Sequence, residues 1–92
     1  MKKFSFLISP EITESIQHLH PDIKRKIRQA LEEIEQQPQI GKPLKDTLKG
    51  LWSFRVSHYR IVYEINQERG QIEILDIAKR SVVYERIKEK RK

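Results

Sequence analysis

At Leu51 the hydrophobic period of this chain changes from about 3.6 residues to 2, which limits the fold more than any other feature of the sequence. Upstream, Ile23, Ile27, Ala30, Leu31 and Ile34 recur at i, i+4, i+7, i+8 and i+11 and form one apolar stripe. Downstream, Trp52, Phe54 and Val56 alternate with Ser53, Arg55 and Ser57; Tyr59, Ile61, Tyr63 and Ile65 then alternate with Arg60, Val62 and Glu64. Helices before the change and strands after it can share a core only by stacking as layers. The class is therefore α+β, with helices on one face of a mostly antiparallel sheet.

The remaining elements follow from local signals. Phe4, Phe6 and Ile8 alternate with Ser5 and Leu7, which predicts an N-terminal strand whose second face is also partly covered. Ser9-Pro10 supplies an N-cap and a proline for the first helical position, and Ile12, Ile16 and Leu19 continue a short helix to His20-Pro21. Asp22 is the expected cap of the second helix and Pro38 its stop, so the two form a helical hairpin. Residues 38 to 50 read as an irregular connection. Ser57-His58 is the only break between the two long alternating runs and predicts an antiparallel hairpin lacking the usual Asn-Gly turn. A turn over Asn66 to Gly70 leads to a third strand, Ile72 to Ala78, completing a three-stranded meander. Val82 to Lys90 is expected to be a short C-terminal helix with Val83 and Ile87 inward, fraying into Lys88 to Lys92. Residues 1 to 92 are read as a single domain without repeats or linkers.

Composition removes several kinds of chemistry. There is no cysteine, which excludes disulfide scaffolds, cysteine-based metal sites and thiol catalysis. His18 and His20 stand on different helix faces with no carboxylate cluster to complete a metal site, and neither a Ser/His/Asp arrangement nor a Gly-rich phosphate loop is evident. No metal or cofactor is expected. Behind Lys2 and Lys3 the apolar run ends at Ile8, too short for a signal peptide or a membrane span, so a cytoplasmic protein without membrane association is expected.

Charge points toward a polyanion. The formal surplus is +6, from 19 Lys and Arg against 13 Asp and Glu. It leans toward the strands: residues 1 to 50 hold nine basic and seven acidic side chains, residues 51 to 92 ten and six. Arg55 and Arg60 both alternate away from the aromatic face, and Lys79 and Arg80 come where the last strand ends, followed by Tyr84. Such cations on one surface would make an anion site, and arginine suits phosphate because its planar fork donates two parallel hydrogen bonds. Lys24 to Arg28 reads as a solvated helix face or a peripheral RNA contact. Tyr84, beside Val83 on a helix, reads more readily as a half-buried packing residue.

The run Gly50 to Ile65, GLWSFRVSHYRIVYEI, followed by IEILDIAKR at Ile72 to Arg80 and then Tyr84, resembles the RelE/ParE superfamily of small toxins from prokaryotic toxin–antitoxin pairs. LKDTLKG at Leu44 to Gly50 fits the same pattern. The resemblance implies the RelE-like fold and, for its nuclease branch, an endoribonuclease that cleaves mRNA in the ribosomal A site by attack of a 2′-OH on the adjacent phosphate. Arg60 and Arg80 match arginines placed around the scissile phosphate, and Tyr84 matches a C-terminal tyrosine that serves as a base or a stacking group. Arg55, Lys79, Lys49 and Lys45 are the candidate RNA-binding residues. A tyrosine of ordinary pKa, about 10, is a poor base at neutral pH unless neighbouring cations favour its phenolate. Lys79 stands where many relatives have histidine, Ser53 where part of the branch has lysine, and His58 matches no catalytic histidine.

The resemblance further implies a cognate antitoxin that covers the basic surface with an acidic or amphipathic segment, contact with operator DNA only through that antitoxin, and the ribosome and mRNA as targets. Two other readings share the fold: a ParE-like toxin that poisons DNA gyrase, and a degenerate toxin acting only in an antitoxin–operator repressor complex. The joint presence of Arg60, Arg80 and Tyr84 favours the nuclease.

Overall fold

The computed structural model describes residues 4–90. Its elements run β1 (Ser5–Ile8), α1 (Pro10–Gln17), α2 (Pro21–Gln36), β2 (Lys42–Pro43), β3 (Trp52–Val56), β4 (Tyr59–Asn66), β5 (Gln71–Lys79) and α3 (Arg80–Lys90), with 3₁₀ turns at Pro38–Ile40 and Asp46–Leu48. The strands form one sheet in the order β1-β5-β4-β3-β2, antiparallel except for β1, which runs parallel to β5. The α+β class, the helical hairpin, the meander and the terminal helix all stand as the sequence predicts.

Alternation along the central strands divides the core in two. Ile61, Tyr63, Ile72, Ile74 and Ile77 face α1 and α2, where they bury Ile12, Ile27, Ala30 and Ile34. On the other face Val62 and Ala78 meet Val83 and Ile87 of α3, together with Leu48 and Leu51 of the preceding loop. Val62, Tyr63 and Val83 are all fully buried, so the central sheet is covered on both faces. A bulge in β5 serves this arrangement. Val62 pairs with Asp76 but Tyr63 with Ile74, leaving Leu75 as the extra residue. Ile74 and Ile77, three apart, thus both reach the first core, while Leu75 and Asp76 turn toward α3.

Four local expectations need correction. The Ser9 cap is present, its Oγ accepting from the Ile12 N–H at 3.3 Å. The second helix, however, begins at Pro21 and is capped by His20, whose Nδ1 accepts from the Asp22 N–H at 3.1 Å. Proline at the first helical position puts the cap at His20, two residues upstream of Asp22, and Asp22 instead pairs with Arg25 at the surface. The second face of β1 is open, with Leu7 53% exposed, because α3 ends beside it rather than over it. The 38 to 50 connection contains a two-residue strand, β2, paired to Trp52 and Ser53. The last helix starts at Arg80 rather than Val82, and Lys88 to Lys90 belong to it; Arg91 and Lys92 lie outside the described residues.

Two polar anchors hold the non-sheet segments. Buried Tyr63 donates its hydroxyl proton to the Pro38 carbonyl at 2.7 Å and accepts from the Gly41 N–H at 3.1 Å, fixing the loop ahead of β2. Gly41 lacks a side chain for a reason: a Cβ there would collide with Tyr63 Oη and come within 2.9 Å of the Ser53 carbonyl oxygen. Burial raises the Tyr63 pKa above its usual value, and the Gly41 N–H partly offsets this. The second anchor joins α3 to the sheet. Arg86 donates from Nε to Asp76 Oδ2 at 2.8 Å and from its terminal nitrogen to Oδ1 at 2.6 Å, while Oδ1 also accepts from the Ile77 N–H. The hydrogen bonds that Arg86 donates to Asp76 raise its pKa further, against a smaller opposing effect of burial.

Candidate active site

The β3–β4 hairpin carries the first two site residues. Arg55 and Arg60 sit directly opposite one another in the ladder, on the face away from α1 and α2. Like charges in that relation destabilise a sheet by roughly 0.2–1 kcal/mol, a cost that an anion bound between them would relieve. Each guanidinium is steadied by a backbone carbonyl near the turn: Arg60 donates to the Tyr59 oxygen at 3.1 Å and Arg55 to the Ser57 oxygen at 3.4 Å. The turn needs only two residues, Ser57 and His58, because Ser57 adopts φ +58°. The His58 carbonyl then accepts from the Arg80 N–H at 3.2 Å, which ties the start of α3 to the tip of the hairpin.

Helix α3 forms the second wall. Arg80, Tyr84 and Lys88 recur every fourth residue and line the groove, while Val83 and Ile87 on the adjoining stripe enter the core. Tyr84 is half-buried, and its hydroxyl lies 2.9 Å from the Oγ of buried Ser53. The third wall is the segment that Tyr63 anchors, with Ile40, Gly41, Lys42, Leu44, Lys45, Asp46 and Leu48. Gly50, at φ +98°, turns the chain from this wall into β3. Between the walls lies an open groove of about 750 Å³.

Its electrostatics are one-sided. Lys42, Lys45, Arg55, Arg60, Arg80 and Lys88 line it against a single carboxylate among the described residues, Asp46. Among the described residues, none of those six cations takes part in an ion pair. No histidine or glutamate among the described residues lines the groove, while Tyr84, the lysines and Asp46 do. No group of three His, Cys, Asp or Glu side chains capable of holding a metal occurs among the described residues. There is also no helix long and apolar enough to cross a membrane among them.

The structure brings Arg55, Arg60, Arg80, Tyr84 and Lys45 together in this groove. Two sequence candidates fall elsewhere. Lys79 pairs with Tyr59 in the ladder, and alternation turns it to the face opposite Arg60, whose partner is Ala78. The single surface expected for Arg55, Arg60, Lys79 and Arg80 therefore holds three of them. Lys49 follows the 3₁₀ turn and does not line the groove. Sequence reasoning missed Lys42 and Lys88. The spacing of Lys88, four residues after Tyr84, was a readable signal; Lys42 sits in a strand too short to have a period.

These features have relatives. The family model for the ParE toxin of type II toxin–antitoxin systems matches residues 8–84, nearly all of the described chain. The chain belongs to this family. The resemblance to the RelE/ParE superfamily is thereby established, and its RelE side is represented by Toxin RelE and Toxin RelG of Mycobacterium tuberculosis. Toxin RelE is 46% identical over 46 residues, covering 50% of this chain and 47% of the relative; Toxin RelG is 38% identical over 48 residues, covering 52% and 55%. The chain thus spans about half the length of the curated relatives it matches. Among solved structures, the RelBE2 toxin–antitoxin complex of M. tuberculosis superposes with a TM-score of 0.74 at 26% identity over 85% of this chain and 99% of the other. A mutant Escherichia coli RelE toxin in the free state gives 0.71 at 19% identity over 97% and 98%, a likeness of fold.

Proposed function

We propose that this protein is the toxin of a type II toxin–antitoxin pair and acts as a ribosome-dependent endoribonuclease on mRNA in the A site. The observation that carries the reading is the groove itself: six cations, a cross-strand arginine pair included, without carboxylate partners among the described residues and with one phenol beside them. Such a surface suits a phosphodiester backbone. The relatives named RelE support the nuclease branch.

In the proposed reaction a ribose 2′-OH attacks the adjacent phosphorus and the P–O5′ bond breaks, leaving a 2′,3′-cyclic phosphate and a 5′-OH. The proton lost by the 2′ oxygen must go to a base, and the departing 5′ oxygen must gain one. Arg60 and Arg80 neutralise the charge that gathers on the phosphoryl oxygens, the kind of stabilisation whose loss costs roughly 10²–10³ in rate per donor. Arg55, Lys45, Lys42 and Lys88 hold the flanking backbone. Tyr84 takes the proton from the 2′-OH or stacks on a base. Cleavage on the ribosome places the protein in the cytoplasm. An antitoxin with an acidic or amphipathic segment would fill the same groove, in keeping with the toxin–antitoxin complexes among the solved relatives, and would carry any contact with operator DNA.

Mapping mRNA 5′ ends after addition of the protein, with and without ribosomes, tests this reading. Cuts within ribosome-occupied codons are expected, and an Arg60→Ala/Arg80→Ala double variant should abolish them. An uncut message, or equal cutting by the double variant, would overturn it. The match to the ParE family model favours a second reading, gyrase poisoning. Inhibited supercoiling without mRNA cleavage would establish that one instead.

A further inference from the structure

Tyr84 lines the groove from α3, and among the described residues its hydroxyl has one hydrogen-bond partner, the Ser53 Oγ at 2.9 Å. Ser53 is 7% exposed, one of two buried polar or charged residues in the described chain; the other, Asp76, is held by Arg86. The position of Ser53 is fixed from both sides, since β3 pairs it with Lys42 of β2 and with Val62 of β4. Its carbonyl oxygen also lies against Gly41, 2.9 Å from where a Cβ there would sit. The hydroxyl of Ser53 is thus a rigid fixture on the groove floor, and Tyr84 comes to it from a separate element.

A serine hydroxyl both donates and accepts. Toward a neutral phenol it can accept a hydrogen bond, and toward a phenoxide it can donate one. Alanine can do neither. We infer that Ser53 is a positioning residue that holds the Tyr84 phenol oxygen at the arginine-lined groove in both protonation states, so that the tyrosine meets the reacting phosphodiester in one orientation. This rests on the nuclease reading above. The role differs from packing, because an inert side chain of the same size would fill the space without holding the oxygen.

The test combines kinetics with a signal that needs no activity. In single-turnover cleavage of ribosome-bound mRNA, Ser53→Ala should lower the saturating rate by roughly tenfold, the effect of one lost hydrogen bond to a reacting group, and leave the half-saturating ribosome concentration unchanged. Ser53→Thr, which keeps the hydroxyl, should recover most of that loss. In a Tyr84→Phe background Ser53→Ala should have no further effect, because its partner is gone. Independently, in the protein labelled with 13C at tyrosine Cζ, Ser53→Ala should move the Tyr84 resonance and leave those of Tyr59 and Tyr63 in place. A parent rate retained by Ser53→Ala, an equal loss in both backgrounds, or an unmoved Tyr84 resonance would each overturn the inference. If the parent protein cleaves nothing, the nuclease reading falls, and the resonance alone decides whether Ser53 holds Tyr84.

Discussion

Arg80 and Arg86 leave the same helix less than two turns apart and meet opposite surroundings. Arg86 reaches back to the sheet and clamps Asp76, a carboxylate 6% exposed, with two hydrogen bonds. Arg80 enters a groove with five other cations and has no ion-pair partner among the described residues. Both begin as the same planar, always-charged fork. The presence of a buried acid makes one arginine part of the fold. Its absence leaves the other available for the phosphate proposed as its ligand.

The largest expected effect falls on the free arginines. Arg60→Ala together with Arg80→Ala should lower mRNA cleavage by at least about 10²-fold, read by primer extension on ribosome-bound message, while thermal unfolding stays close to that of the parent. Separating Arg55 from Arg60 in this way removes a like-charge pair and should not weaken the sheet. The converse change is next in size. Arg86→Ala leaves the Asp76 carboxylate buried without its cation and should cost about 3 kcal/mol in urea unfolding, the lower end for buried pairs because Arg86 is half exposed. If Arg86→Ala instead reduced cleavage with no loss of stability, the division between the two arginines would be wrong.

Tyr63 allows a smaller test of the groove wall. Tyr63→Phe strands the Pro38 carbonyl and the Gly41 N–H, for a loss of about 1–2 kcal/mol. Its folded pKa is raised, so the stability linked to its protonated form is complete below the ordinary tyrosine value of about 10 and is lost as pH rises through the higher folded value. Denaturation midpoints measured from pH 8 upward should therefore fall with pH, and less steeply in Tyr63→Phe. The smallest effect separates two lysines. Lys88→Ala should reduce the salt dependence of single-stranded RNA binding, by about 0.7 in the log–log slope, whereas Lys79→Ala on the opposite face should leave it unchanged.

Where neighbours in sequence decide a conformation, the sequence was readable. The α2 stripe, the Ser9 cap and the alternation of β3 and β4 are all local, and the last of these placed Arg55 and Arg60 on one face before any pairing was known. The parallel pairing of β1 with β5 depends on residues more than sixty positions apart, and no local pattern encodes it. Lys79 and Arg80 show the cost of a single boundary. One residue ends a strand and the next begins a helix, so neighbouring cations leave on different courses and only Arg80 reaches the groove. Ser53 reads as an ordinary outward position on a strand, and its importance appears only once α3 folds back over it.

One paired measurement tests the phosphate site most directly: cleavage of ribosome-bound mRNA and urea unfolding, made in parallel on Arg80→Ala and Arg86→Ala. Arg80→Ala is predicted to lose cleavage by about 10²-fold and to unfold at the parent's midpoint, while Arg86→Ala is predicted to unfold much earlier and, where still folded, to cleave. An Arg80→Ala protein that cleaves as fast as the parent would contradict the claim that the unpaired arginines of the groove form the phosphate site.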